Sequence, residues 1–295
     1  MKKFLLTAFA AIASVCSFAQ DATKTIEWPN GTKHQVVPVI TMKVTVDGET
    51  ERTFNFGSYN EADYFAVDFG DGNLVVTDSI GLTNSYVTNA AAKGIALGEG
   101  NITIYAEKAE DVWYFGSSTG MSTTSPIESI DFSKLTKVQQ VSVGGIVAST
   151  VDLSACAELR NFTSAKGGLT TMDFSNNPEI TSINLTDNKL TSINVASNDK
   201  LDQLSLYNNE LTALDLTANA ALTGVYAYSN KLASIKFAEG AVFKTINLND
   251  NLLTEIALPE ISGSSSMLYL NNNQLTELTV PSAVATFEAA NNKIA

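Results

Sequence analysis

The chain has 295 residues, with 18 lysines and arginines against 31 aspartates and glutamates, a net charge of −13, one histidine and two cysteines. A chain this acidic repels nucleic acid and anionic membrane surfaces, so neither is expected as a partner. So few histidines and cysteines exclude a clustered zinc site, and no metal or cofactor is expected.

Residues 1–19 read as an export signal. Lys2 and Lys3 supply the positive start, Phe4 to Val15 an apolar stretch too short to span a bilayer, and Ser17-Phe18-Ala19 a small-x-small cleavage pattern before Gln20. The alternative is a lipid anchor on Cys16, for which Val15 is a poor preceding residue. Cleavage leaves 16 basic and 31 acidic residues, a net −15, and only Cys156, so no intramolecular disulfide is expected. No later segment offers the roughly 18 apolar residues of a membrane helix. The expectation is therefore an exported protein, extracellular, on the cell surface or periplasmic, without membrane insertion.

Residues 20–108 carry β-rich runs: Val36 to Val46, Thr50 to Phe56, Tyr64 to Phe69, Leu74 to Thr77 and Asn101 to Tyr105. Asp47-Gly48, between the first two, is a hairpin signal. The segment Phe65 to Gly72 (FAVDFGDG), followed by Asn101 to Tyr105, resembles the PKD-like immunoglobulin sandwich. Asp68, Asp71 and Asn73 could be imagined as calcium ligands, but in that motif such residues brace a turn. His34, between turn residues and strand, is expected to be exposed.

Gly116-Ser117-Ser118-Thr119-Gly120 satisfies the G-x-S-x-G of a hydrolase nucleophile elbow. That motif needs a strand-to-helix turn with the acid and histidine following it, whereas the one histidine, His34, precedes it. We read it as a chance match in a Gly/Ser linker. No phosphate-binding or dinucleotide glycine loop occurs either, and the chain reads as a non-enzyme.

From Leu169 onward one spacing recurs: an apolar residue, then apolar residues at +3 and +5. Leu169-Met172-Phe174, Ile180-Ile183-Leu185 and Leu201-Leu204-Leu206 are examples, and start positions advance alternately by 11 and 10. The unit is thus 21 residues with two similar halves. Alternate halves carry Asn eight residues after the first apolar position, at Asn188, Asn209, Asn230, Asn251, Asn273 and Asn292. Positions +3 and +5 share one side of a strand, so +4 faces out. Such a coil closes its core only by stacking on its neighbours, and a buried Asn can pair the backbone groups of adjacent turns. Upstream, Ile127-Ile130-Phe132 and Val138-Val141-Val143 keep the spacing, with Ile146 and Gly167 in the Asn positions of atypical early coils.

Leu201 to Leu211 (LDQLSLYNNEL) resembles the leucine-rich-repeat consensus. The Leu-Thr-Ser-Ile-Asn halves resemble the short-repeat surface proteins exported by Bacteroidetes-type bacteria. The fold expected is mainly β: a sandwich over 20–108, then a helix-poor leucine-rich-repeat solenoid over 109–295 with one parallel sheet. Its strands should centre near Val141, Phe162, Ile183, Leu204, Val225, Ile246, Leu268 and Phe287.

The outward positions of the Asn-bearing halves are nearly uncharged and gather four of the nine tyrosines. Gln203, Tyr207, Tyr226, Tyr228, Asn247, Asn249, Tyr269 and Asn271 are the candidate ligand-binding residues. The resemblance implies a binding or adhesion module for an extracellular protein. The alternatives are a glycan, for which tyrosines flanked by amides are suited, or a structural spacer in a surface assembly. The final coil, with no capping segment, should fray or self-associate at its open edge.

Overall fold

A computed structural model describes residues 23–59, 64–77, 82–83, 86–87, 90–117 and 126–294. The expected signal segment and Cys16 lie outside them. Among the described residues the one helical element is a 3-10 turn at Ala109–Asp111, and everything else regular is β.

The N-terminal part is two facing sheets. Its strands are β1 (Lys24–Glu27), β2 (Lys33–Val44), β3 (Glu51–Ser58), β4 (Ala66–Asp68), β5 (Leu74–Val76), β6 (Leu82–Thr83), β7 (Tyr86–Val87), β8 (Ala90–Ile95), β9 (Asn101–Ala106), β10 (Val112–Ser117) and β11 (Ile127–Asp131). One sheet runs β1-β2-β9-β4-β5, with β11 also on β2, β10, β3 and β8 form the other face, and β6 and β7 pair only with each other. The hairpin expected at Asp47-Gly48 is absent, because β2 and β3 belong to different sheets. Asp47 Oδ1 accepts from Glu49 N and Thr50 N and turns the chain across the sandwich instead. Met42 and Val44 then meet Phe54 and Phe56 in one buried core. The Asp68 and Asp71 carboxylates accept from the backbone N–H groups of Gly70, Gly72 and Asn73, so they do brace a turn. His34 is half-buried rather than exposed, held between Glu107 and Thr32 beside the Trp28 ring.

The solenoid strands fall where the repeat spacing places them. Gln140–Val143, Asn161–Thr163, Ser182–Asn184, Gln203–Ser205, Gly224–Tyr226, Thr245–Asn247, Met267–Tyr269 and Thr286–Glu288 form a parallel front row. Their central residues pair in unbroken register, Ile183 with Leu204 and Leu204 with Val225. Side chains at positions 0, +3 and +5 fill the interior; Leu201, Leu204 and Leu206 are all 0% exposed. Burying each such leucine contributes about 1.5–3 kcal/mol. The chain is therefore a leucine-rich-repeat-like solenoid by fold.

This front row does not begin at the solenoid. β10 pairs in parallel with Gln140–Val143 and antiparallel with β3, making one eleven-stranded sheet from β8 to Thr286–Glu288. The division read at 108/109 falls just before β10, the strand that both parts share. The back row is discontinuous: Thr171–Asp173 pairs with Ser192–Asn194 and Ala213–Leu216 with Ser234–Phe237, but the two pairs do not join. Backbone bonds such as Glu210 N to Leu190 O still tie neighbouring back halves together, so the coils stay stacked throughout, and the front row is the continuous sheet.

Candidate binding face

Each coil makes the same turn at the end of its front strand. Lys166, Asp187, Asn208, Ser229, Asp250, Asn272 and Asn291 have φ between 53° and 57°. Asn and Asp tolerate this left-handed conformation better than most residues, which accounts for their prevalence there. From Asp187 onward, the following residue is the ladder asparagine. Asn209 is typical: its Nδ2 donates to the carbonyls of Leu185 (2.9 Å), Leu206 (2.9 Å) and Tyr207 (3.3 Å), and its Oδ1 accepts from Leu190 N (2.9 Å). Asn188, Asn230, Asn251, Asn273 and Asn292 repeat the pattern. At the atypical coil, a side chain on Gly167 would strike the Ile146 carbonyl.

A second ladder runs through the other halves. Asn177 Nδ2 donates to Leu153 O and Cys156 O, Asn198 to Phe174 O and Asn177 O, and Asn219 to Val195 O and Asn198 O. The +8 spacing that marked the first ladder holds for these three as well, counted from Leu169, Leu190 and Leu211. Sequence reasoning applied it to alternate halves only.

With the turns fixed, the outward positions become columns. Tyr207 and Tyr228 stack with ring centroids 4.5 Å apart and planes 7° from parallel. This follows from their shared +6 position on strands about 4.8 Å apart. Burial, then the neighbouring Tyr207 phenol, raises the Tyr228 pKa. Tyr226 pairs in register with Asn247 and Asn247 with Tyr269, so the three form the adjacent column. All of these are half-buried.

The remaining candidates are more committed to the fold. Gln203 Nε2 donates to Thr223 Oγ1 (2.9 Å), and its side chain occupies the space that a side chain on Gly224 would need. Asn249 Oδ1 accepts from Asn271 N (2.7 Å), while Asn271 bridges Ala290 N and Glu288 (both 2.7 Å). These amides hold the sheet margin as well as facing outward. Of the outward residues from Gln140 to Ala290, Glu288 alone is charged.

At the other end the same face continues onto β10 and β3. Tyr114 pairs with Gln140 and with Gly57, and a register shift between Val112 and Tyr114 brings Trp113 onto the same side. The Trp113 indole lies 2.8 Å from where a Gly57 Cβ would stand, and the Tyr114 hydroxyl end lies over Gly116. Tyr59, 48% exposed, donates to Lys137 O (3.1 Å) and accepts from Gln139 Nε2 (2.9 Å). The aromatic run Val112-Trp-Tyr-Phe115 was the available signal for this cluster, but strict alternation hides a bulge. Of the G-x-S-x-G match, Gly116 and Ser117 lie in β10, flanked by strands on both sides, and residues 118–120 fall outside the described residues.

The fold and face together are those of a solenoid presenting a nearly uncharged continuous sheet. No family model and no curated protein matches the chain. Among solved structures, the functional domain of InlJ from Listeria monocytogenes, described as including a cysteine ladder, is similar at 21% identity with a TM-score of 0.48. The match covers 57% of this chain and 43% of that one. Among the described residues no helix is long and apolar enough to cross a membrane.

Proposed function

We propose that the chain is an exported binding module, without catalytic activity, that captures a protein ligand on the front sheet around Tyr207, Tyr226, Tyr228 and Tyr269. The observation that carries this reading is the Tyr207–Tyr228 stack, 4.5 Å between centroids, standing in a nearly uncharged face. Rings stacked on each other give up faces and present edges and hydroxyls. Such a surface suits peptide groups and side chains better than the flat face of a sugar. Tyrosine also offers large contact area with few rotors to freeze. The Tyr226 and Tyr269 hydroxyls make no hydrogen bond among the described residues, so both can serve a ligand. The apolar start of the sequence supports placement outside the cytoplasm.

The test is a random-peptide display library selected on the full chain. Selected peptides should lose binding to the Tyr207→Ala, Tyr228→Ala double variant while its melting temperature stays near that of the parent. Peptides that bind parent and variant equally would move the site off this face.

A further inference from the structure

We propose a second site on the same sheet, at its N-terminal end, which binds a neutral linear polysaccharide anchored on Trp113 and Tyr114. The aromatic geometry here is opposite to that of the tyrosine stack. Trp113 and Tyr114 are inclined at 40° with centroids 5.7 Å apart, so neither ring covers the other's face. Each instead lies down on the sheet across a glycine, Trp113 over Gly57 and Tyr114 over Gly116. A side chain at either glycine would lift the ring away. Both rings are half-buried, and the face turned away from the backbone matches the flat C–H side of a pyranose. Tyr59, fixed through its hydroxyl to Gln139 and Lys137, stands at the rim.

From this anchor a polar row runs along the solenoid axis. Tyr114, Gln140, Asn161, Ser182 and Gln203 are paired in successive registers, each the outward residue at the same strand position. Their spacing of about 4.8 Å is close to the length of one pyranose unit. The row can therefore offer a hydrogen-bonding group to each successive sugar. Gln140 and Asn161 are exposed, and their carboxamides make no hydrogen bond among the described residues. The row carries no charge and the chain is net negative at −13. Uronate polymers are therefore repelled, and the ligand is a neutral chain.

The experiment titrates the full chain with hexasaccharides of β-1,4-glucose and β-1,4-mannose, and with hexagalacturonate as the anionic comparison. Calorimetry and tryptophan fluorescence provide the readouts. The chain has two tryptophans and Trp28 is 2% exposed, so a ligand-induced change reports Trp113. A neutral hexasaccharide should bind, Trp113→Ala should weaken it at least about tenfold, and Trp113→Phe should restore part of the loss. Gln140→Ala with Asn161→Ala should weaken binding with an unchanged melting temperature. Tyr207→Ala with Tyr228→Ala should leave it intact, which separates this site from the protein-binding face. Failure of both neutral sugars to bind, tighter binding of hexagalacturonate, or parental affinity in the double amide variant would each overturn the proposal.

Discussion

Asn177 and Cys156 occupy the same rung of consecutive coils. Asn177 Nδ2 donates to the Cys156 carbonyl at 2.8 Å and, 24 residues back, to Leu153 O at 3.0 Å. Cys156 Sγ points 24 residues back in turn, at Phe132 O, 3.9 Å away. A thiol thus stands where the next three coils use an amide. Cys156→Asn should place a stronger donor against Phe132 O but also bury an Oδ1 that, like those of Asn177, Asn198 and Asn219, has no partner, so stability should change by no more than about 1 kcal/mol. Urea unfolding of both proteins measures this. A larger loss in the variant would show that this rung is shaped for sulfur.

The same thiol gives the fold an alkaline limit. Burial pushes the Cys156 pKa from 9.0 up to about 12. Below pH 9 the folded and unfolded chains both keep the proton, and this group adds no pH dependence. Between 9 and about 12 the unfolded chain releases it while the fold does not, so stability falls as pH rises. The parent should therefore lose more of its urea midpoint than Cys156→Asn does between pH 9 and a point midway to 12. Thiol-specific reagents should leave native Cys156 unmodified at neutral pH.

Asn230 and Asn247 separate structural from surface asparagines. Asn230 donates to the Leu206, Ala227 and Tyr228 carbonyls and accepts from Leu211 N. Asn230→Ala should cost about 1–3 kcal/mol for each buried group left without a partner. Asn247, half-buried on the front sheet, accepts a single 3.3 Å bond from Asn249 N, so Asn247→Ala should cost little. Equal destabilisation in parallel urea melts would mean that the ladder carries no special load.

Phe287 continues the column of Leu204 and Leu268, both 0% exposed, yet is itself 42% exposed. Amide exchange should be faster around Phe287 than around Leu204, because local opening there breaks fewer buried contacts.

The solenoid was legible because one period fixes both its core and its turns. The +3 and +5 positions and the +8 asparagine must recur together for coils to stack, so strand centres follow directly from the spacing. The second ladder was harder to see because it spans only Asn177, Asn198 and Asn219, with Cys156 before it and Gly240 after it. In the N-terminal part β2, β3, β4, β5 and β9 were legible as β-rich runs, but their pairing was not. Alternation in β2 and β3 reports a buried face without saying which sheet owns it, and Asp47-Gly48 fixes a turn without fixing a hairpin. β8, rich in alanine, has little β propensity to announce it. The four front-sheet tyrosines were reached from phase alone. The neighbouring Trp113 and Tyr114 were missed because a bulge puts consecutive residues on one side.

The shared eleven-stranded sheet also sets an order of assembly. Every strand on the sandwich side of Gln140–Val143, namely β10, β3 and β8, precedes the first coil in the chain. Synthesis and export both deliver the N-terminus first, so the sandwich edge would be available before coil residues emerge. Each new coil then condenses on a strand already ordered, with only short loops to close. Growth is vectorial, and at every stage the nascent solenoid has a single sticky end rather than two.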